Sequence, residues 1–213
     1  ALEIEIDPLE QIDEDAFSKG LNITQECNEA LKMLKGDREE RIQGLRIFCE
    51  YRDPRSFPLL LPLLDQPCPV ERMSAVYALG RNPCPSAVQK LVSLLETDDN
   101  AYVRRATAWS LANYDNQIVL EPLINALKND VAAVRLWSSS SLAEIGNVSL
   151  ENAQLAAEQL LISLKIDNEP GVRSNCIWSL CRLYEKLNNT FQESFVDECT
   201  KIALFDKEPS VME

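Results

Sequence analysis

From about residue 37 onward the apolar positions follow a helical stripe that restarts about every 31 residues. Each restart carries an arginine: Arg41, Arg72, Arg104, Arg135 and Arg173, separated by 31, 32, 31 and 38 residues. Three residues after each anchor stands a small or compact side chain, namely Gly44, Ala75, Thr107, Ser138 or Cys176. Seven after it stands a large apolar one, namely Phe48, Leu79, Leu111, Leu142 or Leu180. At about 100° per residue both offsets fall on one face of an α-helix. The small position admits a close neighbour and the large one fills a core. Leucine pairs four apart then mark a second helix in each unit: Leu60 and Leu64, Leu91 and Leu95, Leu123 and Leu127, Leu160 and Leu164.

The interruptions agree with two helices per unit. Pro54, Pro83 and Pro85 fall between the helices of a unit, while Asp98 and Asp99, Asn129 and Asp130, and residues 167–170 fall between units. The longer fourth unit is expected to place its additional residues in a loop around Asn147 to Asn152, and the fifth, from Pro170, is similarly long. Glu208 to Glu213 (EPSVME) repeats the opening motif of Glu169 to Arg173 (EPGVR), so the array either ends on half a unit or is cut there. Ahead of the array, residues 22–35 read as a helix. Asn22 and Gln25 make a capping-box-like start, Ile23, Cys27, Leu31 and Leu34 share a face, and Gly36 follows its end. An end helix of this kind covers the apolar face of the first unit. Residues 1–20 mix alternating Ile and Glu with an acidic run and are expected to be extended or poorly ordered. The expected division is therefore 1–36, acidic leader and capping helix, and 37–213, repeat array, with units starting near 37, 69, 101, 132 and 170 and a half unit from 208. The fold class is all-α, a solenoid of about five helical pairs.

Composition narrows the function. With 213 residues, 46% hydrophobic and 26% charged, the chain can bury one continuous core, and it has no apolar run near the roughly 20 residues of a membrane span. A net charge of −13 disfavours nucleic acid, whose phosphates require many Lys and Arg. Acid is concentrated at the front, where residues 1–40 hold 12 acidic and 4 basic side chains. Such a front repels acidic partners and attracts basic ones. Seven cysteines without a disulfide-like framework, and no secretory signal, suggest a cytoplasmic protein with reduced thiols. The absence of histidine removes the commonest general base and the usual zinc ligand sets. No catalytic residue and no metal site is predicted.

Three groups of side chains remain as candidates. Tyr77, Trp109 and Trp178 stand five residues past their anchors, about 140° round the helix from them and nearly opposite the core face. Trp137, two past its anchor, borders the same side. These four either form a partner-binding stripe or lie against neighbouring helices. Cys68 and Cys84 each stand in a Pro-Cys-Pro sequence and are the candidate reactive thiols, although a helix between them keeps them from sharing a metal. The anchor arginines are read as structural, bonding loop carbonyls or inter-unit acids such as Asp98, Asp99 and Glu169. The run Ser138 to Ser141 is read as close helix packing.

Val103-Arg104, Val134-Arg135 and Val172-Arg173, each followed by a small residue and then Leu, resemble HEAT repeats. The short period resembles the phycobilisome-lyase-type HEAT group of cyanobacteria, whose members include partners of A-type iron–sulfur scaffolds. The resemblance covers about residues 37–213 and implies a HEAT/armadillo-like superhelix. It further implies a protein partner, and a function as a non-catalytic scaffold or chaperone in tetrapyrrole, phycobilisome or iron–sulfur cofactor handling. The isolated chain would hold no cofactor, and a bilin or cluster would come with the partner. The alternative it implies is a phycobilin lyase or isomerase subunit, working with a second HEAT subunit and attaching bilin to a phycobiliprotein cysteine. The second helices carry chiefly Lys90, Lys128 and Lys165 as cations and are poor in Arg, which departs from what bilin propionates ask for.

Overall fold

The computed structural model describes residues 23–206 together with 208 and 211, the side chains of 203 and 205 excepted. The expected leader and the Asn22 cap lie outside the described residues. The described residues contain helices and no strands. A first helix, α1 (Ile23–Met33), precedes five pairs: α2 (Arg38–Glu50) with α3 (Phe57–Leu60), α4 (Pro69–Arg81) with α5 (Val88–Thr97), α6 (Ala101–Leu111) with α7 (Leu120–Asn129), α8 (Ala132–Gly146) with α9 (Leu150–Ile166), and α10 (Pro170–Leu183) with α11 (Asn189–Phe205). The first helices α2, α4, α6, α8 and α10 pack side by side in chain order, and α5, α7 and α9 pack likewise in a second layer. The result is an α-solenoid.

Each periodic position does in space what its spacing implies. Phe48, Leu79, Leu111, Leu142 and Leu180 are fully buried, as are the small residues Ala75, Thr107, Ser138 and Cys176. Both members of every leucine pair in the second helices are buried between the layers. Gly44 shows why the small position stays small, since a Cβ there would stand 3.0 Å from the Ala30 carbonyl of α1. That close approach seats α1 as the cap of the array.

The prolines act through missing donors and fixed φ. Pro54, Pro69, Pro85 and Pro170 occupy the first turns of their helical segments, where an N–H would have no partner. α3 continues into a 3-10 segment at Leu61–Asp65, where Pro62 removes a donor. The additional residues of the fourth unit do not form the expected long loop. Ser149 accepts the Asn152 N–H at 3.0 Å and starts α9 at Leu150, so much of the added length becomes helix and only 147–149 connect α8 to α9. At the far end, Val211 is buried and its N–H reaches the Glu208 carbonyl, as Val172 reaches Glu169.

Buried polar side chains fasten neighbouring units. The Asn82 amide donates to the Phe48 and Tyr51 carbonyls and accepts the Asp53 N–H. Tyr114 donates to Leu79 O, Ser141 to Ala108 O and Ser179 to Ser139 O, each across to the preceding first helix. The serine run is therefore packing surface, with Asn175 bonding Ser139 and Ser140.

Candidate interaction site

The anchor arginines form a ladder. In Arg104 the Nε and Nη2 groups fork onto the two Asp130 oxygens at 2.7 Å each, and Nη1 donates to the Asp98 carbonyl at 2.7 Å. Arg72 forks onto Asp98, Arg135 onto Asp167 and Arg173 onto Asp206 in the same way. Asp98 thus takes Arg72 on its carboxylate and Arg104 on its carbonyl, which joins one unit to the next. Each of these aspartates also accepts a backbone N–H at the start of the following unit, from Asn100, Val131, Glu169 and Glu208 respectively. The first unit departs from the rule. Gln66 stands where the aspartate would, and the buried Glu71 of α4 supplies the carboxylate to Arg41 at 2.8 Å. Of the expected acids, Asp98 is a partner, Asp99 offers only its carbonyl, and Asp167 takes the place of Glu169 because the residue ending α9 lies under Arg135.

This ladder has an electrostatic signature. Burial pushes Asp98, Asp130 and Asp167 up, but the arginine forks, the N–H groups and nearby guanidinium charges outweigh it, and all three stay below the usual carboxylate range. Forks of this kind occupy donors that a ligand anion would need.

The structure divides the aromatic candidates. Tyr77 and Trp109 meet with ring centroids 5.4 Å apart and tilted by 59°, an arrangement favoured by the ring quadrupoles. Trp109 lies across Gly80, where a Cβ would stand 2.4 Å from the indole. Arg81 lies 6.0 Å over the same indole, and Arg105 donates to the Tyr77 hydroxyl. These two rings therefore cover the seam between α4 and α6. Trp137 is half-buried against the core. Trp178 alone among the four is exposed, at 46%, with Arg182 4.9 Å over its ring and bonded in turn to Glu144. The covering cations were missed by sequence reasoning, yet a signal existed. Arg182 follows Trp178 by four residues, the spacing that places two side chains on one helical face, whereas Arg81 covers Trp109 from the neighbouring helix, which no spacing within one helix shows.

The thiol candidates also separate. Cys68 is the N-cap residue of α4, and Arg38 Nη2 lies 3.1 Å from its sulfur. The Glu71 N–H lowers its pKa, burial opposes this, and the Val70 N–H and Arg38 charge add to the lowering. Cys84 is buried beyond the other end of α4, with its sulfur 3.5 Å from the Ser86 hydroxyl. Burial pushes Cys49 and Cys176 up to about 12. Among the described residues no group of three His, Cys, Asp or Glu could hold a metal ion. With substoichiometric iodoacetamide at neutral pH, Cys68 is expected to be carboxamidomethylated first. It should lead Cys181, which is exposed but raised by burial of its sulfur, with Cys84 protected until the chain unfolds. Peptide mass mapping checks the order, and Arg38→Ala should slow Cys68 several-fold.

The second-helix face carries two shallow grooves at equivalent places. One, of about 510 Å³, runs between α9 and α11 past Ile166, Arg173, Glu198 and Lys201. The other, of about 500 Å³, runs between α5 and α7 past Glu96, Arg104, Asn125 and Asp130. Their arginines belong to the ladder. Lys90 pairs with Asp65, and both Lys165 and Lys201 pair with Glu198, at 3.8 and 3.3 Å. Among the described residues no helix is long and apolar enough to cross a membrane.

Two layers of antiparallel helices, joined unit to unit by a recurring Arg–Asp fork, define an α-solenoid repeat protein. The HEAT-repeat family matches over residues 28–112 and 88–181, and the chain belongs to that family. Comparison with curated protein sequences gives no significant match. Among solved structures, the complex of CpcE and CpcF of phycocyanin lyase from Nostoc sp. PCC7120 is similar at 23% identity and a TM-score of 0.57, over 75% of this chain and 95% of that one. A designed armadillo repeat protein is similar at 19% identity and a TM-score of 0.59, over 86% and 94% of the two chains. An engineered protein, structural genomics target OR366, is similar at 20% identity and a TM-score of 0.57, over 97% and 94%. These likenesses concern the fold.

Proposed function

We propose that this HEAT protein is a non-catalytic interaction scaffold or chaperone that holds a cofactor-bearing partner, the cofactor being a bilin or an iron–sulfur cluster that stays with the partner. One observation carries this reading: the anchor arginines and most of the second-helix lysines, the cations that would face a chromophore's two propionates, are already engaged. The five anchor arginines are tied to internal carboxylates, and of the second-helix lysines only Lys128 has no ion pair among the described residues. A repeat stack offers an extended face for another protein without any need for a catalytic pocket.

The second reading, a bilin lyase or isomerase subunit, draws on the likeness to the phycocyanin lyase complex. Incubating the pure protein with phycocyanobilin and an apo-phycobiliprotein separates the two. The scaffold reading expects covalent pigment, scored by zinc fluorescence on denaturing gels, to form no faster than in its absence. Faster covalent attachment would overturn it.

A further inference from the structure

The ladder aspartates fix a common register for the second helices. Nine residues before Asp98, Asp130, Asp167 and Asp206 stand Gln89, Glu121, Glu158 and Asp197, and all four are exposed. Five residues before the same aspartates stand Ser93, Asn125, Ile162 and Lys201, again all exposed. Successive second helices therefore present carboxylates at the same height from α7 to α11. Adjacent packed helices lie about 8 to 10 Å apart, which sets the spacing of that row. Among the described residues none of the three carboxylates has an ion pair, and Glu158 takes a hydrogen bond from Gln154. The nearby Lys165 and Lys201 are both turned onto Glu198 instead.

Beside the acidic row runs an apolar stripe on α9. Leu155, Ile162 and Ile166 are 42%, 49% and 72% exposed, and their spacings of seven and four residues place them on one face of the helix. The neighbouring helices α5 and α7 carry Ser93, Thr97, Asn125 and Asn129 at the positions equivalent to the two isoleucines, so the apolar surface is particular to this part of the array. Nothing in the core or the ladder requires isoleucine there.

We infer that this face, from α7 across α9 to α11, docks a basic amphipathic helix of another protein, an inference that rests on the scaffold reading. Charge complementarity selects the occupant, since the row is acidic on a chain of net charge −13. A helix rises about 10.5 Å in seven residues, close to the spacing of the row, so Lys or Arg at seven-residue intervals would reach Glu121, Glu158 and Asp197 in turn. Apolar residues between those cations would cover Ile162 and Ile166, as helices dock in grooves elsewhere.

The test uses the full chain and a fluorescein-labelled three-heptad peptide of Leu, Ala and Lys, with Lys at seven-residue intervals, followed by anisotropy. The triple variant Glu121→Lys/Glu158→Lys/Asp197→Lys is expected to weaken binding about tenfold or more. The control Glu29→Lys/Glu50→Lys/Glu185→Lys changes net charge equally at exposed sites elsewhere and is expected to change it less than about twofold. Ile162→Ser/Ile166→Ser is expected to weaken binding about tenfold, and a peptide with Leu replaced by Ser should lose a similar factor. All eight substituted side chains are exposed, and circular dichroism confirms folding of each variant. Equal weakening by the control triple, undiminished binding by the row triple, or equal binding of the Ser peptide would overturn the inference. Covalent bilin attachment would overturn the scaffold reading by a separate measurement, and peptide binding is read independently of it.

Discussion

Arg104→Ala is expected to destabilise the protein by about 3 kcal/mol, the lower end of the range for breaking a buried ion pair. Its side chain is 18% exposed and that of Asp130 is 12% exposed, so removing the guanidinium leaves a carboxylate with little water to replace the fork. The Asp98 and Asp99 carbonyls lose their donor in the same step. Arg104→Lys should recover only part of the loss, because an ammonium group cannot bond both Asp130 oxygens and the carbonyls in the guanidinium's geometry. Urea unfolding by circular dichroism measures both variants. Since coupling in a solenoid runs only between neighbours, Arg104→Ala should also broaden the transition as the two halves separate. The pH dependence isolates the fork. Asp130 has a folded pKa below its unfolded value, so its contribution is fully present above the unfolded value of about 3.9 and is lost as pH falls through the folded one. The gap between wild type and Arg104→Ala should therefore be constant from neutral pH to about pH 5 and shrink below about pH 4. A gap that stays constant into strong acid would assign the loss to packing of the arginine stem.

The helices themselves were legible because burial is periodic. Leu111 and Leu123 are deep in the core for the same reason that they recur at fixed offsets, and no long-range knowledge is needed to see it. The partners of the arginines were legible only in kind. Arg104 and its acid are 26 residues apart, while Arg135 and Arg173 reach across 32 and 33, because the second helices differ in length. The cap at Ser149 decided that length, and it stood inside what read as a loop. For the aromatic candidates, the offset from the anchor placed Trp109 and Trp178 alike, whereas the preceding helix determined their fates. Trp109 finds Gly80 beneath it. At the register-equivalent place in α8 stands the buried Ala143, which carries the methyl that Gly80 lacks, and Trp178 remains at the surface. Such a distinction depends on a pair of residues from different units, which single-helix periodicity does not examine. The acidic row is a similar case, visible only once the ladder aspartates align the second helices.

The two tryptophans are therefore expected to separate sharply in stability. Trp109→Ala should cost about 3 kcal/mol, at the lower end for truncating a large aromatic side chain, because Tyr77, Arg81 and the Gly80 backbone all lose their contact with the indole. Trp178→Ala should change stability by less than about 1 kcal/mol, since its ring contributes mainly an exposed stack with Arg182. Gly80 provides the sharper check through a change of sign. In the wild-type background Gly80→Ala drives a methyl to 2.4 Å from a rigid ring, and the overpacking cost of about 1 to 3 kcal/mol exceeds or matches the gain in helix propensity of about 1 kcal/mol. In the Trp109→Ala background the ring is gone, the methyl fills part of the gap, and the same substitution should stabilise by about 1 kcal/mol. Denaturant titration of the four proteins in this cycle gives the coupling directly. If Gly80→Ala has the same effect with and without Trp109, the indole does not rest on α4 in solution, and Trp109 returns to the set of side chains available to a partner.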